Sequence, residues 1–164
     1  MKNITNRRDF VKAGSTLSAG AFLASPYIAK AAQDDKVIKI GLVGIGGRGS
    51  GAAAKAMNAD PNVALTAIGD LFEDRIKLRS RILKARGRDK YQVTEETTFV
   101  GFDSYKKVID SGVDVVILTT PPAFRPQHLE YAISKGVHCF FEKPVAVDAE
   151  GVRKVIELAK QAKE

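Results

Sequence analysis

The stretch from Lys36 to Gly51, KVIKIGLVGIGGRGSG, decides how the rest of the chain is read. Val37 to Val43 is an apolar, β-branched run of strand length. Gly44-Ile45-Gly46-Gly47-Arg48-Gly49 then fits G-x-G-x-x-G, and small residues follow at helical length from Ala52 to Met57. A strand, a glycine turn and a helix, in that order, form the context in which this motif cradles a dinucleotide. Gly44 allows the tight turn, Gly46 the close approach of backbone to a pyrophosphate, and Gly49 the close packing of helix on strand. The helix N-terminus offers unpaired N–H groups and a partial positive charge to the phosphates. A plain glycine-rich turn has the same composition, so the motif needs support from elsewhere in the chain.

The first support comes from Asp70. Val63 to Gly69 reads as a second strand, and Asp70 closes it at about the spacing from the last motif glycine where a carboxylate accepts hydrogen bonds from the adenosine ribose. A carboxylate there repels a 2′-phosphate and favours NAD. Arg48 and Arg75 blur that preference, which leaves NADP as the alternative. Asp70 is also placed to cap a helix over 71–85, and both roles can hold together.

Further along, Thr98 to Phe102 is a short strand candidate, Asp103 is placed to cap a short helix over 104–110, and Ser111-Gly112 stops it. Val113 to Thr119 is a buried parallel-strand run ending in Thr120-Pro121-Pro122, a stiff wall at the carboxyl end of the strand. Pro126 to Lys135 is a helix stopped by Gly136, and Val137 to Phe141 is a fifth strand followed directly by Glu142-Lys143-Pro144. Asp148 is placed to cap a last helix over 149–163, with Val152, Val155, Ile156 and Ala159 on one face. Residues 86–98 are polar, lack a period and read as loop. Strand–helix alternation with buried strands predicts an α/β fold, a Rossmann-like doubly wound parallel sheet with helices on both faces. Five strands are visible where a complete dinucleotide domain has six. The sixth strand is therefore expected to lie beyond this chain.

The 164 residues suffice for one domain of ordinary size, and 45% hydrophobic with 27% charged content is that of a globular chain. Of the net charge of +7, more than half sits in residues 1–31, where Lys2, Arg7, Arg8, Lys12 and Lys30 face only Asp9. The remainder has no basic stripe beyond one helix, which argues against nucleic acid as a partner. Cys139, the single cysteine, lies in an apolar run and reads as a small buried hydrophobe. No metal-ligating set is assigned.

Asn6-Arg7-Arg8-Asp9-Phe10-Val11-Lys12 resembles a twin-arginine export motif. An Ala/Gly/Ser-rich apolar stretch follows it, and Ala29-Lys30-Ala31 offers small residues to a signal peptidase. The alternative is a short amphipathic or anchoring helix, although Gly14, Gly20 and Pro26 interrupt the stretch. The domain reading is thus an export signal over 1–31 and a nucleotide-binding domain over 32–164, with a periplasmic or exported destination after folding in the cytoplasm. That route moves folded proteins into a compartment with little free dinucleotide, so the cofactor is expected to be loaded inside the cell and held tightly.

Taken together, Gly44-Ile45-Gly46-Gly47-Arg48-Gly49, Thr119-Thr120-Pro121-Pro122, Gly136-Val137-His138 and Glu142-Lys143-Pro144 resemble the Gfo/Idh/MocA family of oxidoreductases over about residues 36–164. The resemblance implies a NAD(P)-binding domain. Its cofactor-binding residues would be Gly44, Ile45, Gly46, Gly47, Arg48, Gly49, Asp70, Thr119, Thr120, Pro121, His128, Glu142 and Lys143. Lys143 would be catalytic, beside the nicotinamide and the reacting hydroxyl, where desolvation and the positive ring fit it for proton transfer. The family also suggests a cis peptide bond at Pro144. Relatives carry Asn or Asp after the first proline and a histidine a few residues on, where this chain has Pro122 and Arg125. His128 can equally be a satisfied helix histidine, whereas His138, inside the fifth strand, reads as structural. The resemblance further implies a C-terminal mixed-sheet domain, absent from this chain, that holds the substrate, and hydride transfer between nicotinamide and a sugar or polyol hydroxyl by a full-length homo-oligomer, with this stretch alone inactive. The alternatives are an NAD-dependent, redox-neutral glycoside hydrolase and a non-catalytic nucleotide-binding module.

Overall fold

The computed structural model describes residues 36–163; the export reading of residues 1–31 lies outside them. Five parallel strands form one sheet in the order β3-β2-β1-β4-β5: β1 Ile38–Val43, β2 Val63–Asp70, β3 Thr98–Val100, β4 Val115–Leu118 and β5 His138–Phe141. The helices are α1 Gly47–Ala59, α2 Glu73–Gly87, α3 Ser104–Asp110, α4 Arg125–Ser134 and α5 Ala149–Gln161. The expected α/β doubly wound sheet is present. Its strand order reverses direction between β1 and β4, the switch point outside which open parallel sheets hold ligands.

Alternation along the strands makes two cores. Ile40, Leu42, Leu65, Ile68 and Ile117 face one side and pack with Ala53, Met57 and Leu83 of α1 and α2. Val43, Ala67, Val116 and Leu118 face the other and pack with Val108, Leu129, Ala132, Val155 and Leu158 of α3, α4 and α5. Period-2 side-chain direction is what lets one apolar run feed both layers.

Several local expectations are corrected. The helix after Asp70 starts at Glu73, not Leu71, and Phe72 occupies its N-cap. Asp70 instead accepts the Phe72 N–H in a tight turn (3.0 Å). Asp103 stands at the N-cap of α3 without a side-chain capping bond, because its carboxylate pairs with Lys106 at 3.0 Å. The third strand ends at Val100, so Phe102 lies outside it and is 71% exposed. Residues 86–98 are not all loop. A 3₁₀ turn covers Arg88–Lys90, Tyr91 bridges Leu65, and the Lys90 ammonium donates to the carbonyls of Met57 and Asp60, closing the end of α1. His138 lies in β5 as expected, but as its first residue at the sheet edge, where it is exposed. Cys139 is half-buried, and burial pushes its thiol up to about 11.

Asp148 does cap α5, accepting the Gly151 N–H at 2.7 Å. The face of α5 that docks is shifted, however: Val155 and Leu158 are buried, whereas Val152 and Ile156 are 39% and 52% exposed. Replacing Leu158 by Ala is therefore expected to cost about 2–5 kcal/mol in urea unfolding. The same change at Ile156 stays within about 0.5 kcal/mol.

Candidate functional site

The site is built on the turn between β1 and α1. Gly44 has φ +90°, a conformation costly to any residue with a Cβ. Its N–H donates to Gly69 O at 2.8 Å. Thr119, just past β4, places its hydroxyl 2.6 Å from Gly44 O and 3.1 Å from Val43 O. Asp70, at the end of β2, accepts the Ile45 N–H at 2.8 Å. The two strands flanking β1 thus clamp the turn from both sides. At Gly49 a Cβ would come within 2.0 Å of Gly44 O and 2.4 Å of Thr119 Oγ1, so only glycine lets α1 begin this close to the turn. Around Gly46 the same construction meets nothing within 4 Å.

A groove of about 330 Å³ opens above this turn. Gly44, Gly46, Asp70, Phe72 and Arg75 line one end, with the Arg75 guanidinium 4.7 Å above the Phe72 ring. Thr119, Thr120, Pro121, Phe124 and His128 line the other, and Gly101 to Ser104 form a side wall. The groove fits a dinucleotide. Helix α1 starts over it with no side-chain cap and no acidic residue in its first turn, so its N–H groups are left to an anion. The space at Gly46 admits the anion close to the backbone. Asp70 is 6% exposed and already holds two amides, one on each oxygen, yet a carboxylate has about four acceptor sites and keeps capacity for ribose hydroxyls.

His128 is 6% exposed, stacks on Tyr105 with ring centroids 4.1 Å apart, and shares a 3.2 Å hydrogen bond through Nδ1 with Thr120 Oγ1. Desolvation lowers its pKa to about 4, so at neutral pH the ring is uncharged and adds no positive charge to the groove.

The Glu142-Lys143-Pro144 segment follows β5 at the same carboxyl rim. Arg48 reaches it from the first turn of α1, its guanidinium 2.5 Å from Glu142 Oε1, which has no other polar partner among the described residues. The Arg48 contact holds the Glu142 carboxyl below the usual carboxylate range against the opposing effect of burial, with further help from Arg125 and Lys143. The Lys143–Pro144 bond is cis. Lys143 itself is exposed, so the described residues do not supply the desolvation expected around it. Every residue assigned from sequence therefore lies at one rim, in two sub-groups joined by the Arg48–Glu142 pair.

Sequence reasoning missed Arg125. It is 6% exposed and donates from Nε to Thr120 O at 2.8 Å and from one terminal nitrogen to Glu142 O and Pro144 O. Desolvation draws its pKa below the ordinary arginine value, with Glu142 opposing. The signal was present: Arg125 falls on the helical stripe of His128, Leu129 and Ala132, the buried face of α4.

Two measurements check this geometry. Gly49→Ala is expected to lose about 2–3 kcal/mol in denaturant unfolding, because its clash is with backbone. The His128 ring, ordinarily near 6.5 when unfolded, titrates at about 4 in the fold, so the unfolded chain takes up more protons between those values. Its contribution to stability is complete above pH 6.5 and is lost as pH falls toward 4, by at most about 3 kcal/mol. The part of the acid destabilisation that disappears in His128→Gln reports it.

The family model described as "Oxidoreductase family, NAD-binding Rossmann fold", that of Gfo/Idh/MocA, matches residues 38–164. An inositol 2-dehydrogenase of Saccharopolyspora erythraea is 31% identical over 123 residues, 75% of this chain and 33% of its own length. A glycosyl hydrolase family 109 protein of Porphyromonas gingivalis is 26% identical over 130 residues, 78% of this chain and 26% of its own. Among solved structures, scyllo-inositol dehydrogenase from Lactobacillus casei with bound NAD(H) and scyllo-inositol superposes with a TM-score of 0.62 at 25% identity, over 78% of this chain and 34% of that one. The chain spans about a quarter to a third of the length of the curated relatives it matches. It belongs to the Gfo/Idh/MocA oxidoreductase family, of which it forms the NAD-binding Rossmann fold.

Proposed function

We propose that this chain is the cofactor-holding part of an exported oxidoreductase that moves hydride between NAD and a polyol or sugar hydroxyl. The observation supporting the reading is the Arg48–Glu142 pair, which ties the glycine turn to the loop carrying Lys143 across the carboxyl end of β4. The Gly46 to Gly49 amides would hold the pyrophosphate of the dinucleotide, and Thr119, Thr120, Pro121 and Lys143 would serve its nicotinamide half. Bound nicotinamide supplies the hydride acceptor or donor. The α1 amides bind the diphosphate, Asp70 accepts from the adenosine ribose, and its negative charge disfavours a 2′-phosphate. Thr119 and Pro121, which line the groove, would help exclude water from the nicotinamide half, and neutral His128 leaves that end of the groove without added positive charge. Lys143 holds or releases a proton at the substrate oxygen as the carbon changes oxidation state.

A second reading, redox-neutral glycoside hydrolysis, is favoured by the relatives named glycosyl hydrolase family 109 protein. It uses the same binding half and suits a destination poor in free dinucleotide. The twin-arginine reading of residues 1–31 supports export after folding around the cofactor.

Dinucleotide released from the purified mature protein by heat, after exhaustive dialysis, is the first expected result; protein stripped of nucleotide by dialysis alone counts against export with bound cofactor. Calorimetry is expected to give tighter binding of NAD than of NADP, with the order reversed or equalised in Asp70→Ser. In the protein that carries this chain, Lys143→Met is expected to lower turnover by about 10²–10⁴-fold. Net NADH formation from inositol marks the dehydrogenase, whereas release of p-nitrophenol from a p-nitrophenyl glycoside without net NADH marks the hydrolase.

A further inference from the structure

The segment after β5 is poorly held by the sheet. Glu142 N–H donates to Leu118 O at 3.1 Å, and beyond it no backbone–backbone hydrogen bond secures residues 143–147 among the described residues. Two carbonyls in this segment, those of Glu142 and Pro144, stand on either side of Lys143. Both accept from the same terminal nitrogen of Arg125, while Arg125 Nε holds Thr120 O at the end of β4. The side chain comes from the first residue of α4, whose buried face anchors it beneath the rim. One planar guanidinium thereby bridges the wall of the groove and both neighbours of Lys143. An ammonium is a compact point charge and cannot reproduce this fork. Arg48 does not duplicate the contact, since it is mostly exposed and meets the Glu142 side chain rather than the backbone.

We propose that Arg125 is a positioning residue. By fixing the carbonyls on both sides of Lys143 against Thr120, it sets where the Lys143 ammonium stands over the groove. The proposal rests on the reading above, in which Lys143 lies beside the bound dinucleotide, and its test separates the two.

The test is competitive acetylation, with trace acetic anhydride, of the full chain first stripped of nucleotide, with and without saturating NAD added back, read by mass spectrometry of the peptide containing Lys143. Lys135 and Lys154, which pair with Asp110 and Glu130 away from the groove, serve as internal references. In the unaltered chain NAD is expected to slow acetylation of Lys143 by about tenfold or more while leaving the references unchanged. In Arg125→Lys and Arg125→Gln that protection is expected to fall to about twofold or less, with the calorimetric Kd for NAD kept within about threefold. Undiminished protection in both variants overturns the proposal. So does loss of NAD affinity in step with loss of protection, or failure of both variants to fold, since Arg125 would then be a requirement of the fold as a whole. If NAD fails to protect Lys143 in the unaltered chain, the placement of Lys143 beside the dinucleotide falls, independently of the Arg125 contacts.

Discussion

The turn at Gly44 and Ile45 is gripped by both neighbouring strands, and the rest of the groove depends on that grip. Asp70 from β2 holds the Ile45 amide, and the Thr119 hydroxyl from β4 meets the Gly44 carbonyl. With those groups satisfied by partners outside the turn, the chain can leave β1 at an angle that starts α1 directly over the strand ends. The helix then begins without a side-chain cap. Its first amides have no side-chain partner, and their alignment makes them attract negative charge. The binding capacity is thus a consequence of how the turn is braced, more than of any side chain that points into the groove.

Charge around the rim is arranged by exposure. Arg48 has a side chain 68% exposed, so its pair with Glu142 is screened and can exchange with another anion at small cost. Arg125 is buried on carbonyl oxygens, where removing it leaves polar groups without partners. His128 is buried without an acidic neighbour and stays neutral. One cation is therefore adaptable, one is fixed, and the buried imidazole ring is held uncharged at neutral pH.

Relatives carrying two kinds of name, inositol dehydrogenase and glycosyl hydrolase, resemble this chain to similar extents. That is the pattern expected when a binding domain is kept and the chemistry is set by groups arranged around it. Under the proposed function both settings would place the same requirements on this half: a diphosphate at α1, a ribose at Asp70 and a lysine presented after β5.

The sequence by itself determined the alternation of strands and helices, the glycine turn, the acidic end of β2 and the Glu-Lys-Pro segment. Each is written within a few consecutive residues, as a hydrophobic period or a steric demand that local chain geometry enforces. Tertiary structure decided which of those residues touch. Thr119 and Gly44 are 75 positions apart, and their contact exists only because β4 lies beside β1 in the sheet order. Arg125 stood in the sequence only as a departure from the family pattern just ahead of the helix expected over 126–135, and its bonds to Thr120, Glu142 and Pro144 exist only because α4 docks with that face inward. Val152 and Ile156 share an apolar stripe with Val155 but stay in solvent, because the docking angle of α5 selects a narrower face than the period allows. Periodicity specifies that a face is apolar; only packing against a particular neighbour specifies how much of it is covered.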